Sequence, residues 1–351
     1  MSKVESTPRG VSGRALSVAA VLGGLCCASA AAARVTFVAP ENPLIVRKPA
    51  LYPETIVYDR KRDRFLVGSF REGAVYAIDR AGDVTRVIDD ARLCSVLGIA
   101  IDAERDRLWL VNGDLGASSK PSAAGPRHLI AVGTYHLGSG KPAQYVDLTP
   151  LSDGERLPNG LALDAAGDAY VTDSFSPNIY RITADGRPSL FLRDARFAGE
   201  GINLNGLVVH PDGYLLVIKK SDGSLFKVPL ADPRGASRVE LDRACIGGDG
   251  VTLVGRTELL IVANQVPGTA TNGVFSLRSD DGWASAKVSA PLSLGAVYPT
   301  TGVVRDGTFY VLASRLNELI QAPAAQKPLL QVQATVRAVA KVPPNIIPTT
   351  H

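Results

Sequence analysis

The chain has 351 residues, 46% hydrophobic and 21% charged, with 38 Lys and Arg against 34 Asp and Glu for a net charge of +4. That apolar content excludes a disordered or collagen-like chain, and a near-balanced charge with no long basic block excludes the clustered footprint that nucleic-acid binding needs to displace counterions. Four cysteines are too few to scaffold a chain of this length with disulfides.

Residues 1–14 carry Lys3, Arg9 and Arg14 against Glu5, and residues 15–25 (ALSVAAVLGGL) are apolar but too short to span a bilayer. Ala28, Ser29 and Ala30 follow, then Ala31–Ala33, the layout of a secretory signal with an A-x-A cleavage site. Residues 1–30 are therefore expected to be a signal peptide, cut after Ala30 or Ala33, giving a secreted or periplasmic protein with no membrane attachment after cleavage. An uncleaved anchor is the alternative. A lipoprotein fits less well, because Leu25 precedes Cys26 where a small residue is usual. Cys94 and Cys245 remain, and the repeat below puts them on opposite sides of a ring, so two separate buried thiols are expected.

From residue 54 onward the chain repeats itself. ETIVYDRKRDRFLVGSFREGAVYAID (54–79), NGLALDAAGDAYVTDSFSPNIYRIT (159–183) and NGLVVHPDGYLLVIKKSDGSLFKVPL (205–230) share one grammar. DGVTLVGRTELLIVAN (249–264) resuming at GVFSL is a fourth copy, and LGIAIDAERDRLWLVNG (97–113) and TGVVRDGTFYVLAS (301–314) are looser ones. Each runs strand, polar turn, strand, small loop, alternating strand, with a weaker fourth strand at VTRVID, SLFLRD or SRVEL. Aligned on Thr55, Gly98, Gly160, Gly206, Gly250 and Gly302, the copies are spaced 43 to 62 residues apart. Four strands per copy and six copies predict an all-β fold, a six-bladed β-propeller over 34–342. The long step reflects an insertion, GDLGASSKPSAAGPR (113–127), whose composition suits a mobile lid or a tolerated surface loop. The last blade is closed by a strand near Arg34–Val38 or one near Gln331–Val342. Residues 343–351 are expected to be an irregular tail.

The residues before the alignment points are Glu54, Leu97, Asn159, Asn205, Asp249 and Thr301. Equivalent positions in a closed ring converge on its axis, so Glu54, Asn159, Asn205 and Asp249 should aim oxygens at one point. A single Asn or Asp before a strand reads as a turn residue; four in phase read as a hard oxygen site. Such a site suits a divalent cation, Ca²⁺ best, with Zn²⁺, Mg²⁺ or Mn²⁺ as alternatives. A cation also relieves the repulsion of two carboxylates in a narrow channel.

The segments YPETIVYD, LPNGLALD, INLNGLVVHPDG and GGDGVTL resemble the inner strands of the senescence marker protein/gluconolactonase/luciferin-regenerating enzyme family, a likeness spanning about residues 50–320. It implies a six-bladed propeller with a central divalent cation that hydrolyses lactones, esters or organophosphates. It also implies that Glu54, Asn159, Asn205 and Asp249 hold the metal, and that Asp249 is the base or nucleophile. The chain departs from that pattern at Thr55, where Gly is common, and offers no match to the histidine pair proposed for the related paraoxonases.

Second-strand ends should reach the same mouth: Ser69, Asn112, Asp173, Lys219 and Asn264. Of these Asn112, Asp173 and Lys219 (or Lys220) are candidate substrate contacts, with rim lysine and turn cap as the plainer readings. His128, just after the insertion, is the one histidine expected to approach the mouth. The expected function is a metal-dependent hydrolase of a lactone or related ester acting on a small-molecule substrate; a monomer is compatible with this, and the sequence leaves the oligomeric state open. The alternatives are a non-catalytic propeller with a structural cation and a metal-independent enzyme like strictosidine synthase. No G-x-S-x-G elbow points to a serine hydrolase.

Overall fold

The computed structural model describes residues 1–2, 34–38, 43–266, 269 and 271–342. The expected signal peptide and the tail at 343–351 lie outside the described residues. Contacts divide the chain into Met1–Ala33 and Arg34–His351; the fold described is that of the second unit.

Its strands form six sheets in chain order around an axis, antiparallel but for one short outer pairing, a six-bladed β-propeller. Blade 1 runs Pro53–Asp59, Arg64–Ser69, Ala74–Ile78 and Val84–Asp89, from axis to rim. Blades 2 to 5 open on the inner strands Ser95–Asp102, Pro158–Leu163, Leu204–His210 and Gly248–Leu253, and blade 6 on Pro299–Arg305. The inner strands of successive blades touch around the ring.

The second strands read as nearly unbroken apolar runs because both faces of each blade are covered. Strand residues alternate in direction, so neighbours go to opposite interfaces. In blade 4, Tyr214, Leu216 and Ile218 pack towards blade 5, while Leu215 and Val217 pack towards blade 3. In blade 2, Leu108 and Leu110 join the core shared with blade 1, and Trp109 and Val111 the core shared with blade 3. Corresponding clusters fill the other blade interfaces.

Both chain ends close the ring. Thr335–Lys341 is the third strand of blade 6, and Thr36–Phe37 pairs with it as the outermost. The two candidates for the missing strand thus occupy adjacent places in one blade. Arg305 strengthens the seam with blade 1: it bonds Asp63 at 2.9 Å and lies 5.2 Å from the Tyr58 ring centroid. The segment SRVEL is shared between blades. Ser237–Arg238 pairs in blade 4, whereas Glu240–Leu241 pairs in parallel with blade 5.

The insertion does not stand free over the mouth. Asp114 is buried and accepts from Gly116 N and Ser122 N, both at 2.7 Å. Ser119 N donates to Arg71 O at 2.7 Å and Lys120 Nζ to Gly73 O at 2.9 Å. Leu115 and Ala117 pack into an apolar cluster with Tyr52, Phe70, Leu97, Phe175 and Tyr298, beside a short helix, α1 (Leu316–Gln321). Cys94 and Cys245 are both buried and unbridged. Among the described residues no helix is long and apolar enough to cross a membrane.

Candidate functional site

Each blade's inner strand breaks register with its neighbour at the same place. The shifts fall between Pro53 and Thr55, Val96 and Ile99, Pro158 and Leu161, Leu204 and Leu207, Gly248 and Val251, and Pro299 and Gly302. Such a bulge releases a residue from the ladder and re-aims its side chain. Here the released residues include Glu54, Asn159, Asn205 and Asp249, and all four line one cavity on the axis.

The recurring glycine has a packing cause. A Cβ on Gly98 would lie 2.5 Å from Asn159 O, and one on Gly160 2.5 Å from Asn205 O. Backbone of the next blade fills the space, so the glycines let the inner strands close up around the axis. Thr172 Oγ1 holds two blades together, accepting from Gly160 N at 2.9 Å and donating to Asn205 O at 2.6 Å.

All four side chains are nearly buried. Asn159 Nδ2 donates to Ser174 Oγ at 3.1 Å, which leaves its Oδ1 for the cavity. Glu54 Oε2 is buried with no hydrogen-bond partner among the described residues. Burial first, and then the charge of Asp249, push the Glu54 carboxyl well above its ordinary range, against an opposing pull from Lys220. Asp249 is held from one side. Lys220 Nζ donates to its Oδ2 at 2.8 Å, and Asn264 Nδ2 donates to the same oxygen. Lys220 also donates to Asn264 Oδ1, closing a three-residue network.

The donor set fits a hard cation. It offers oxygens alone, in two carboxylates and two amides, and one carboxylate oxygen lacks the partner that burial requires. No cluster of three or more His, Cys, Asp or Glu side chains occurs among the described residues. The cavity measures about 60 Å³, room for an ion and its waters rather than a whole organic substrate.

Three of the four candidate substrate contacts have their polar atoms engaged by the fold. Asn112 accepts from Cys94 N at 2.8 Å and donates to Arg92 O and Tyr145 OH, both at 2.9 Å. Asp173 accepts from Leu157 N at 2.9 Å and caps the next turn through Phe175 N and Ser176 Oγ. Lys219 Nζ donates to Ala198 O at 2.7 Å and pairs with Asp222 at 3.1 Å. His128 is exposed and does not line the axial cavity.

The side chains that do support the quartet follow the second strands by one residue: Ser174 after Asp173, Lys220 after Lys219, and Asn264 after Ala263. Asn264 stands in the expected row and Lys220 is the alternative offered to Lys219; at Asp173 the row falls one position early, and because strand side chains alternate that selects the opposite face. A further contributor was not visible in the repeat. Tyr298, which immediately precedes the inner strand of blade 6, has its phenol pushed well up, by burial first and then by the charges of Asp249 and Glu54. Tyr52 and Tyr298 each precede a proline and each have left-handed backbone, with φ of 44° and 46°. Strain of this kind costs about 1–3 kcal/mol and persists where surrounding packing imposes it.

No protein-family model matches the chain, and no curated protein sequence does. Solved structures do. The Malassezia sympodialis allergen Mala s 1 superposes with a TM-score of 0.67 at 19% identity, covering 88% of this chain and 98% of that one. A calcium-binding regucalcin from Agrobacterium tumefaciens gives 0.58 at 14% identity, covering 90% and 98%. A gluconolactonase of Xanthomonas campestris gives 0.55 at 14% identity, covering 85% and 88%. What these likenesses establish is architecture: the chain is a six-bladed β-propeller of the kind shared with regucalcin and gluconolactonase.

Proposed function

We propose that the chain is a hydrolase of lactones or related esters, working at the axial site with a divalent cation, Ca²⁺ by preference, held by Glu54, Asn159, Asn205 and Asp249. The observation that carries this reading is that Glu54, Asn159, Asn205 and Asp249 all line one axial cavity, with a buried, unpartnered Glu54 Oε2 among them. A bound cation would supply Lewis-acid polarisation of the scissile carbonyl. The chain's own residues do the rest. Asp249, whose Oδ2 is engaged by Lys220 and Asn264, has only Oδ1 for both duties, holding the ion and accepting the water proton, so it acts as a weakened base. Tyr298 offers a neutral O–H to oxygen at the mouth, where negative charge develops as the carbonyl is attacked. Only the reacting end of a substrate enters a cavity of about 60 Å³. We propose further that residues 1–30 export the protein to the periplasm or beyond.

A second reading, a non-catalytic propeller whose cation is a structural plug, is favoured by the same small cavity and by the apolar cluster over it. A panel of sugar and aliphatic lactones assayed with calcium, with chelator, and with Asp249→Ala separates the two. The hydrolase reading expects turnover that disappears in the latter two arms. A folded, calcium-binding protein inert towards the whole panel supports the plug, and turnover that survives chelation removes the metal from the reaction.

A further inference from the structure

We infer that Lys220 is a built-in counter-cation of the axial site, a positioning residue that turns one oxygen of Asp249 to the channel and sets how tightly the quartet holds a divalent ion. The inference rests on the cation reading above.

Among the described residues Lys220 and Asp249 are among the most deeply buried ionic partners, with side chains 4% and 8% exposed. Charges are not buried this far without a compensating partner. The lysine's place is fixed by its backbone as well: Lys220 N donates to Asn203 O at 2.8 Å, and Gly247 N donates to Lys220 O at 3.0 Å, tying it between blades 4 and 5. Asn264 adds the third side of the network, because its Nδ2 also donates to Pro299 O at 2.9 Å, at the start of blade 6. Asp249 Oδ2 thus takes two donors from one side, and Oδ1 is the oxygen left for the axis.

Two consequences follow from charge alone. Glu54 and Asp249 bring two negative charges, and the Lys220 ammonium cancels one of them. A divalent ion among the four oxygens is therefore attracted by two carboxylates and repelled by a fixed cation on the far side of Asp249. With Oδ2 occupied, Asp249 is also held to one-oxygen coordination. Both effects weaken divalent binding relative to the bare quartet.

The test is calcium binding by isothermal titration on the full chain, comparing wild type with Lys220→Met, Lys220→Gln and Lys220→Arg. Loss of the charge should tighten calcium binding about 10- to 100-fold in the Met and Gln variants, while Arg, which keeps the charge, should stay near wild type. Wild type that binds weakly or not at all, with the Gln variant binding measurably, also supports the inference. Folded Met and Gln variants that bind calcium no tighter than wild type overturn it and leave the cation reading intact. Failure of every form to bind calcium, magnesium, manganese or zinc overturns both. Should the uncharged variants fold only with metal, the calcium-induced rise in melting temperature replaces titration, and it should exceed that of wild type; an equal or smaller rise overturns the inference.

Discussion

Replacing Glu54 with Gln tests whether the quartet is built around a missing positive charge. The side chain is 8% exposed, Oε2 has no partner among the described residues, and Asp249 repels its charged form. The folded state therefore holds the Glu54 proton more tightly than the unfolded chain does. Its contribution to stability is full below the ordinary value of 4.5 and is lost as pH rises through the raised folded value. At alkaline pH in chelator, wild type carries a buried carboxylate whose Oε2 has no partner among the described residues, which costs more than the ~1–3 kcal/mol of a neutral unsatisfied group, and the Gln variant carries no such charge. Thermal melts in EDTA from pH 4 to 9 should show the Gln variant gaining on wild type as pH rises, by a few degrees at the top of the range. Excess calcium should reverse the order by rescuing wild type selectively. A difference between the two proteins that is flat with pH, or a Gln variant less stable than wild type at alkaline pH without metal, would refute the argument.

Gly160→Ala should destabilise by about 1–3 kcal/mol and weaken calcium binding, since its Cβ meets Asn205 O at 2.5 Å; Gly255→Ala, with nothing within 4 Å, should do neither, as melts and titration would show. Tyr298→Phe should lower kcat on lactones about tenfold with little change in KM, the signature of a donor used in the transition state; steady-state kinetics decides. Cys245, whose thiol burial pushes up to about 12, should resist iodoacetamide in the folded protein and react after denaturation. Peptide mapping would read this, and a linked Cys94–Cys245 peptide would contradict it. Deleting residues 335–341 should abolish soluble expression, because they carry a central strand of blade 6, whereas deleting 34–38 should only lower the melting temperature.

Much of this was readable in the sequence because a ring forces equivalent residues to equivalent places. A phase repeated six times locates the axis, and Glu54, Asn159, Asn205 and Asp249 could be placed on it without coordinates. The supporting row was harder. Lys219 and Lys220 are adjacent and chemically identical, and only the folded contacts show that Lys219 reaches Ala198 O while Lys220 reaches Asp249. Tyr298 escaped notice because the final copy of the repeat is its weakest. Asn112 looked like a contact at the mouth, yet its amide is absorbed by Cys94, Arg92 and Tyr145, a demand that arises only after the loops have packed. The close approach that requires Gly98 and Gly160 is likewise a relation between blades, not within one.

The clasp in blade 6 has a bearing on biogenesis. Thr335–Lys341 leaves the ribosome after every other strand of the ring, and Thr36–Phe37 must wait for it to find a partner. Until then blade 6 lacks its outer strands, although all six inner strands, and with them Glu54, Asn159, Asn205 and Asp249, have already been made, so the ring can be circled before it is fastened. A circular permutant opened at the Asp59–Arg64 hairpin, with its original ends spliced, would trade that noncovalent fastening for a peptide bond and move the vulnerable seam to blade 1.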